Sequence, residues 1–149
     1  MFDWLKRPMQ MHSPLMITYD LAVLPSGVRV LRLHCSGYYP PGSAGTSHAL
    51  QIYKTGAEAL LVTDADAVLL DFTQLDYVWG DDLCLAFDIP SHESIGRDDC
   101  PTAVVVGPKC EDALKTLIED GGGNWEEANL FWDEPSALER ISRDASERA

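Results

Sequence analysis

Two strand-like segments open the pattern of apolar and polar residues along the chain. Residues 15–25 (LMITYDLAVLP) and 28–35 (VRVLRLHC) are rich in β-branched and aliphatic side chains, and a Pro-Ser-Gly turn separates them. This arrangement predicts a β-hairpin. Successive side chains of a strand point to opposite faces, so the adjacent His34 and Cys35 cannot form a nucleophile–base pair with each other.

From residue 47 onward, helical and strand-like patterns alternate. Continuous apolar runs at 67–72 and 102–107 predict buried strands, and a short edge strand is expected at 128–132. Helical spacing follows residue 110 and residue 135. The alternation predicts a single α/β domain with a central, mostly parallel sheet of four or five strands, an N-terminal antiparallel hairpin and about four helices. The first helix is expected to bury one apolar stripe: Leu50, Tyr53, Ala57, Leu60 and Leu61.

The stretch LDFTQLDYVWGDDLCLAF (70–87) predicts a strand, a turn and then a helix that Pro90 limits. A helix N-terminus favours an anion, which Asp81 and Asp82 would supply permanently, unless they are simple capping residues. An aromatic residue at such a turn is a good interface anchor. The turn contains no nucleophile, so we interpret it as a binding edge without covalent chemistry. The predicted partner-binding residues are Tyr77, Trp79, Gly80, Asp81 and Asp82.

The balance of charge narrows the class of partner. Twenty-four acidic residues against eleven basic ones give a formal net charge of −13. This charge repels nucleic acid and anionic membranes and attracts a basic protein surface, although it also serves solubility alone. We therefore expect a protein partner with a basic surface, with no nucleic acid and no membrane as partner.

The predicted α/β domain covers residues 15–142, with an N-terminal extension at 1–14 and a flexible C-terminal tail at 143–149. No apolar run is long enough for a transmembrane helix, and the N-terminus does not have the pattern of a secretory signal. The four cysteines form no C-x-x-C pair. They are expected to be free thiols of a cytoplasmic protein.

Four segments resemble the STAS family, which comprises anti-sigma-factor antagonists and the cytoplasmic tails of sulfate transporters. They are VRVLRLHCSG, AVLLDFTQLDYV, CPTAVVVGP and DEPSALERI, and the likeness extends over residues 15–142. The resemblance implies the α/β fold and a regulatory, protein-binding role in a bacterial cytoplasm. In the antagonists, the corresponding turn reads Asp-Ser-Ser/Thr-Gly, and a partner kinase phosphorylates its first Ser or Thr. Here Gly80 stands in that place, so the resemblance predicts no phosphoswitch at this turn.

The sequence is compatible with three functions. The first is a non-catalytic, protein-binding regulatory domain that needs no cofactor. The second is an acidic immunity protein or inhibitor that neutralises a basic toxin or enzyme. The third is a small enzyme that binds Mn²⁺ or Mg²⁺ through Asp64 and Asp66, because carboxylate oxygens suit those ions. No Walker or dinucleotide-binding motif occurs, and we predict that the chain is not an enzyme and has no metal site.

Overall fold

The strands of the protein lie in one sheet whose spatial order follows the order of the sequence. A computed structural model describes residues 13–97, 99–124 and 128–147. Within these residues, five strands are hydrogen-bonded in the order β1-β2-β3-β4-β5. The strands are β1 (Met16–Val23), β2 (Arg29–Tyr39), β3 (Ala67–Tyr77), β4 (Thr102–Val106) and β5 (Leu130–Phe131).

Strand β1 is antiparallel to β2, and the other neighbouring pairs are parallel. The predicted fold class, an α/β domain with a mostly parallel sheet and an N-terminal hairpin, is confirmed. The helices formed by the described residues are α1 (Thr46–Thr63), α2 (Glu111–Asp120) and α3 (Glu134–Glu147), with 3₁₀ segments at Gly42–Gly45 and Asp81–Ser91. None of these helices is long and apolar enough to span a membrane.

Helices cover both faces of the sheet. The larger core lies between one face and the layer of α1, the 3₁₀ segment Asp81–Ser91 and α2, and it includes Leu33, Leu70 and Phe72 of the sheet. The smaller core lies on the opposite face, where Ala137 and Ile141 of α3 pack on β3 and β4. This burial on both faces explains the continuous apolar runs of the central strands.

Helix α1 is rotated from the predicted stripe. Of the predicted stripe, Ala57 and Leu60 are buried and Tyr53 is partly buried, whereas Leu50 and Leu61 are exposed; the buried face also includes Ala49 and Ile52. The reason is a close approach at Gly56, where an added Cβ would lie 2.4 Å from Cδ1 of Ile89. Glycine permits that approach, and the resulting orientation of the helix leaves two of the predicted leucines in solvent.

The helix predicted after the third strand is present and is a 3₁₀ helix from Asp81 to Ser91. Of its four buried residues, Leu83, Ala86 and Ile89 recur at every third position, and the fourth is Pro90. Three residues per turn is the period of the 3₁₀ helix, so this spacing places them on one line. Pro90 lies inside the segment near its end.

The last helix is longer than expected. Helix α3 continues beyond Ser142 to Glu147, so residues 143–147 of the predicted tail are helical, and Arg140 pairs with Asp144 across one turn. Residues 148–149 and 1–12 lie outside the described residues. Of the predicted N-terminal extension, the carbonyl of Ser13 accepts a hydrogen bond from the backbone N–H of Tyr38, beside β2.

Candidate functional site

The turn that follows β3 presents two large apolar side chains to solvent. Val78 is 62% exposed and Trp79 is 61% exposed. Tyr77, in contrast, is 2% exposed and belongs to the larger core, and Gly80 is buried. Of the five predicted site residues, Trp79 and the exposed carboxylates of Asp81 and Asp82 can therefore meet a partner directly.

Tyr77 and Gly80 shape the turn from inside. The hydroxyl of Tyr77 donates a hydrogen bond of 2.8 Å to the carbonyl oxygen of Gly80. Gly80 has φ +142°, a conformation that side chains of L-residues rarely adopt. These two residues act by positioning Trp79 and the following carboxylates, and a serine in place of Gly80 would be strained.

The turn is also fixed to the loop that follows β2. The backbone N–H of Gly42 donates to the carbonyl oxygen of Trp79 at 3.3 Å. The six-membered ring of Trp79 lies over Gly42, where an added Cβ would be 2.7 Å from Cη2 of the indole. Contact with Gly42 orients the ring while most of its surface stays exposed.

The two adjacent carboxylates have different surroundings. The hydroxyl of Thr46, the first residue of α1, donates to Oδ2 of Asp82 at 2.6 Å. The side chain of Asp81 has no hydrogen-bond or ion-pair partner among the described residues. Asp82 therefore lies at the start of the preceding helix α1, whereas Asp81 is free to attract a cation.

A cleft of about 270 Å³ separates this turn from α2. Apolar side chains on both sides line it, including Trp79 and Leu117, and three carboxylates contribute to its lining: Asp81, Asp112 and Asp120. Burial raises the pKa of the Tyr77 hydroxyl above its ordinary value, and the nearby charges of Asp81 and Asp120 raise it further. The cleft thus combines apolar surface with a negative potential.

Tyr39 lies beneath the same turn. Its ring packs edge-on against the ring of Tyr77, with 5.2 Å between the centroids. The side chain is fully buried, and its hydroxyl has no hydrogen-bond partner among the described residues. Burial, with the charge of Asp82, raises the pKa of Tyr39 to about 12, so the hydroxyl is neutral at physiological pH.

Asp64 and Asp66 lie before β3, at the opposite end of that strand from the turn. Asp64 ends α1 in a left-handed conformation, with φ 49°. Oδ2 of Asp66 accepts the backbone N–H of Arg29 at 2.9 Å, so this carboxylate stabilises the start of β2. Across the described residues, no group of three or more His, Cys, Asp or Glu side chains is arranged to hold a metal ion.

A second polar cluster, which the sequence alone did not reveal, lies on the α3 side of the sheet. Nδ1 of His34 is 2.7 Å from Oδ2 of Asp71, and its Nε2 is 3.2 Å from Oδ2 of Asp20. Arg32 donates through Nε to Oδ1 of Asp20 at 2.5 Å and through Nη1 to Oε1 of Glu134 at 3.1 Å. Strand alternation places Arg32 and His34 on the same face, but the partners of these two side chains depend on the strand register.

The register brings the members of this cluster together. His34 is paired with Asp71 on β3, and Arg32 is paired with Asp20 on β1. Although burial alone would raise the pKa of Asp71, hydrogen bonds from Thr73 and His34 hold it below the ordinary value. The cluster therefore connects β1, β2, β3 and α3 through charged hydrogen bonds.

None of the four cysteines, all of which lie among the described residues, forms a disulfide in the structure. Cys35, Cys100 and Cys110 are buried, and Cys84 is exposed. Burial raises the pKa of Cys35 to about 12 and that of Cys110 to about 11. Because the thiolate is the reactive form, these two side chains are inert core residues.

Comparison with known proteins adds no family to this description. No protein-family model matches the chain, and no curated protein is significantly similar to it.

Proposed function

We propose that the chain is a non-catalytic, protein-binding domain and that its turn at residues 77–82 docks a basic surface of another protein. The observation that carries this proposal is the exposure of Trp79, which is 61% accessible beside an equally exposed Val78. Tryptophan is among the residues that most often dominate the energy of an interface. A partner that covered this turn would remove both side chains from water.

The turn is preorganised for such contact. Tyr77, Gly80 and Gly42 hold it through backbone carbonyls, as described above, so little conformational freedom remains to be lost on binding. Ordering loops and side chains at an interface opposes association. An anchor that is already fixed avoids much of this cost, which supports a binding role for Trp79.

The charge around the turn supports a basic partner. Asp81, Asp112 and Asp120 border the cleft, and no described side chain forms an ion pair with any of them. Lys115 of α2 is 3.0 Å from Glu111 and lies over the ring of Trp132. A Lys or Arg side chain from a partner would supply the missing counter-charge.

The environment of the histidines and cysteines supports the non-catalytic part of the proposal. Both ring nitrogens of His34 contact carboxylates of the protein itself, which supports a structural role for this side chain. A regulatory partner agrees with the resemblance to anti-sigma-factor antagonists, and a basic toxin or enzyme agrees with the charge of −13. The four cysteines form no disulfide in the structure, which supports a location in a reducing cytoplasm.

Affinity capture from a lysate of the native organism, followed by quantitative mass spectrometry, tests the proposal. Three baits are compared: the unaltered chain, Trp79→Ala and Trp132→Ala. Trp132 is a matched control because it is 54% exposed and lies at the end of β5. We expect one basic protein to be recovered by the first and third baits and lost with Trp79→Ala. Equal recovery by all three baits would contradict the proposed edge.

The same captured protein distinguishes regulator from inhibitor. An inhibitor should abolish a nuclease or other activity of the purified partner at equimolar amounts. A regulatory domain should instead compete with a second protein for the partner. Both outcomes retain the proposed binding edge, whereas a partner with an acidic binding surface would contradict it.

A further inference from the structure

His34 occupies a bridging position between the edge strand and the interior of the sheet. Strand β1 has a hydrogen-bonded neighbour on one side, β2, because it ends the strand order. Asp20 is on β1, His34 on β2 and Asp71 on β3. The imidazole thus joins a carboxylate of the edge strand to a carboxylate of a central strand.

The two contacts of His34 require two ring protons. A carboxylate is an acceptor only, so each ring nitrogen must carry a hydrogen to bond it. The imidazolium form satisfies Asp71 at 2.7 Å and Asp20 at 3.2 Å together. A neutral imidazole has one N–H, and its other nitrogen would then present a lone pair to a carboxylate.

When His34 loses a proton, the contact that is lost is the one with Asp20 on the edge strand β1. The contact with Asp71 is shorter, and Asp71 is itself fixed because the hydroxyl and the backbone N–H of Thr73 both donate to its Oδ1. The remaining proton therefore stays on Nδ1. Oδ2 of Asp20 is then opposite an unprotonated Nε2, and their attraction is replaced by repulsion.

We propose that His34 is a protonation-dependent clasp that fastens β1 to the sheet when the imidazole is charged and loosens it when the imidazole is neutral. The charged groups that face it are Asp20 from β1, Arg32 from β2, Asp71 from β3 and, through Arg32, Glu134 from α3. Arg32 stays charged at every physiological pH. Its bond to Asp20 persists, so β1 loosens locally and the protein does not unfold.

The direction of the effect follows from the shifts of the titrating groups. Although burial alone would lower it, hydrogen bonds to Asp71 and Asp20 raise the pKa of His34 above its ordinary value. The clasp is therefore fully closed below about pH 6.5 and is lost as the pH rises through the raised pKa. The carboxylates have lowered pKa values, so they stay charged down to more acidic pH.

Two measurements on the full chain test the clasp. NMR titration of the imidazole protons gives the midpoint for His34, and hydrogen exchange gives the protection factors of the β1 amides at pH 5.5 to 9. We expect β1 protection to fall with rising pH while β3 protection stays constant. Asp20→Asn should lower the midpoint of His34. For each pH unit of that decrease, the β1 protection of the unaltered chain should fall about tenfold from low to high pH, because protonation of His34 and closing of β1 are thermodynamically linked.

His34→Gln should remove the pH dependence of β1 protection, whereas His48→Gln and His92→Gln should retain it. Asp20→Asn changes an exposed residue of the edge strand, so it gives the same test if His34→Gln does not fold. A His34 midpoint at or below about 6.5 would overturn the clasp. So would a pH dependence of β1 that survives in Asp20→Asn. The substitutions in this experiment lie outside the proposed binding edge, so the clasp and the binding edge can each be contradicted without the other.

Discussion

At the scale of single residues, the exposure of Trp79 means that its substitution should affect partner binding much more than the stability of the fold. We expect Trp79→Ala to weaken the complex with the captured partner by about 2 kcal/mol or more, mainly through a faster dissociation rate. The melting temperature should change little, because most of the ring is already in water. Biosensor kinetics and thermal melts of the same samples measure the two effects. A large loss of stability with unchanged binding per folded molecule would instead make Trp79 a structural residue.

Substitution of Asp81 and substitution of Asp82 should have different effects on binding and stability. Asp81→Asn should slow association and reduce its dependence on salt, because an unpaired exposed charge acts by long-range attraction. Asp82→Asn should in addition lower the free energy of unfolding by roughly 0.5–1.5 kcal/mol, because it weakens the bond from Thr46. A double-mutant cycle with Thr46→Val isolates this bond. Glu58→Gln, an exposed change on α1, is the control for loss of one charge. If Asp81→Asn and Asp82→Asn lowered the stability equally, the predicted difference between the two carboxylates would be contradicted.

At the scale of secondary-structure elements, Gly56 and Gly107 lie at close contacts that differ in how far the neighbouring atoms can move. An added Cβ at Gly107 would lie 2.1 Å from the backbone oxygen of Thr73, whereas one at Gly56 would meet the movable end of Ile89. Gly107→Ala should therefore cost several times more stability than Gly56→Ala. At Gly56, overpacking of about 1–3 kcal/mol is partly offset by a gain of about 1 kcal/mol in helix propensity. Chemical denaturation of both variants measures the difference, and similar costs would contradict it.

Most of the secondary-structure elements could be predicted from the sequence. Strands and helices were identifiable because burial on one or two faces leaves periodic patterns, as in the run at 67–72. The helix at Asp81–Ser91 was likewise predictable, and the period of three shown by Leu83, Ala86 and Ile89 fits its 3₁₀ type. The rotation of α1 was not predictable, because it depends on how closely Gly56 approaches another element.

For the candidate site, sequence reasoning located the turn but not the inward position of Tyr77. Its neighbours Val78 and Trp79 are both exposed, so strand alternation ends at Tyr77, where the chain leaves the sheet. The His34 cluster was missed because a bond between strands is set by register, and the register shifts between His34 and Ser36. Such pairs follow from tertiary structure and leave no local pattern.

At the scale of the whole molecule, the net charge of −13 opposes folding by self-repulsion. Raising NaCl from about 20 mM to about 500 mM shortens the screening length from roughly 20 Å to below 5 Å. We expect the melting temperature to rise over this range, because like charges greatly outnumber the ion pairs that salt weakens. Melts in sucrose of matched osmolality control for general solute effects. A fall in melting temperature would show that the ion pairs dominate.

The agreement between spatial and sequential strand order bears on how the chain acquires its structure during synthesis. Each strand finds its partner in the strand that left the ribosome just before it, so the sheet can grow at one edge as translation proceeds. No strand has to wait for a later one to be inserted between existing neighbours. Helix α3, which emerges after all five strands, covers the second face and completes the smaller core. Stalled nascent chains that end before α3 should therefore hold a protease-resistant hairpin and sheet with one face still open.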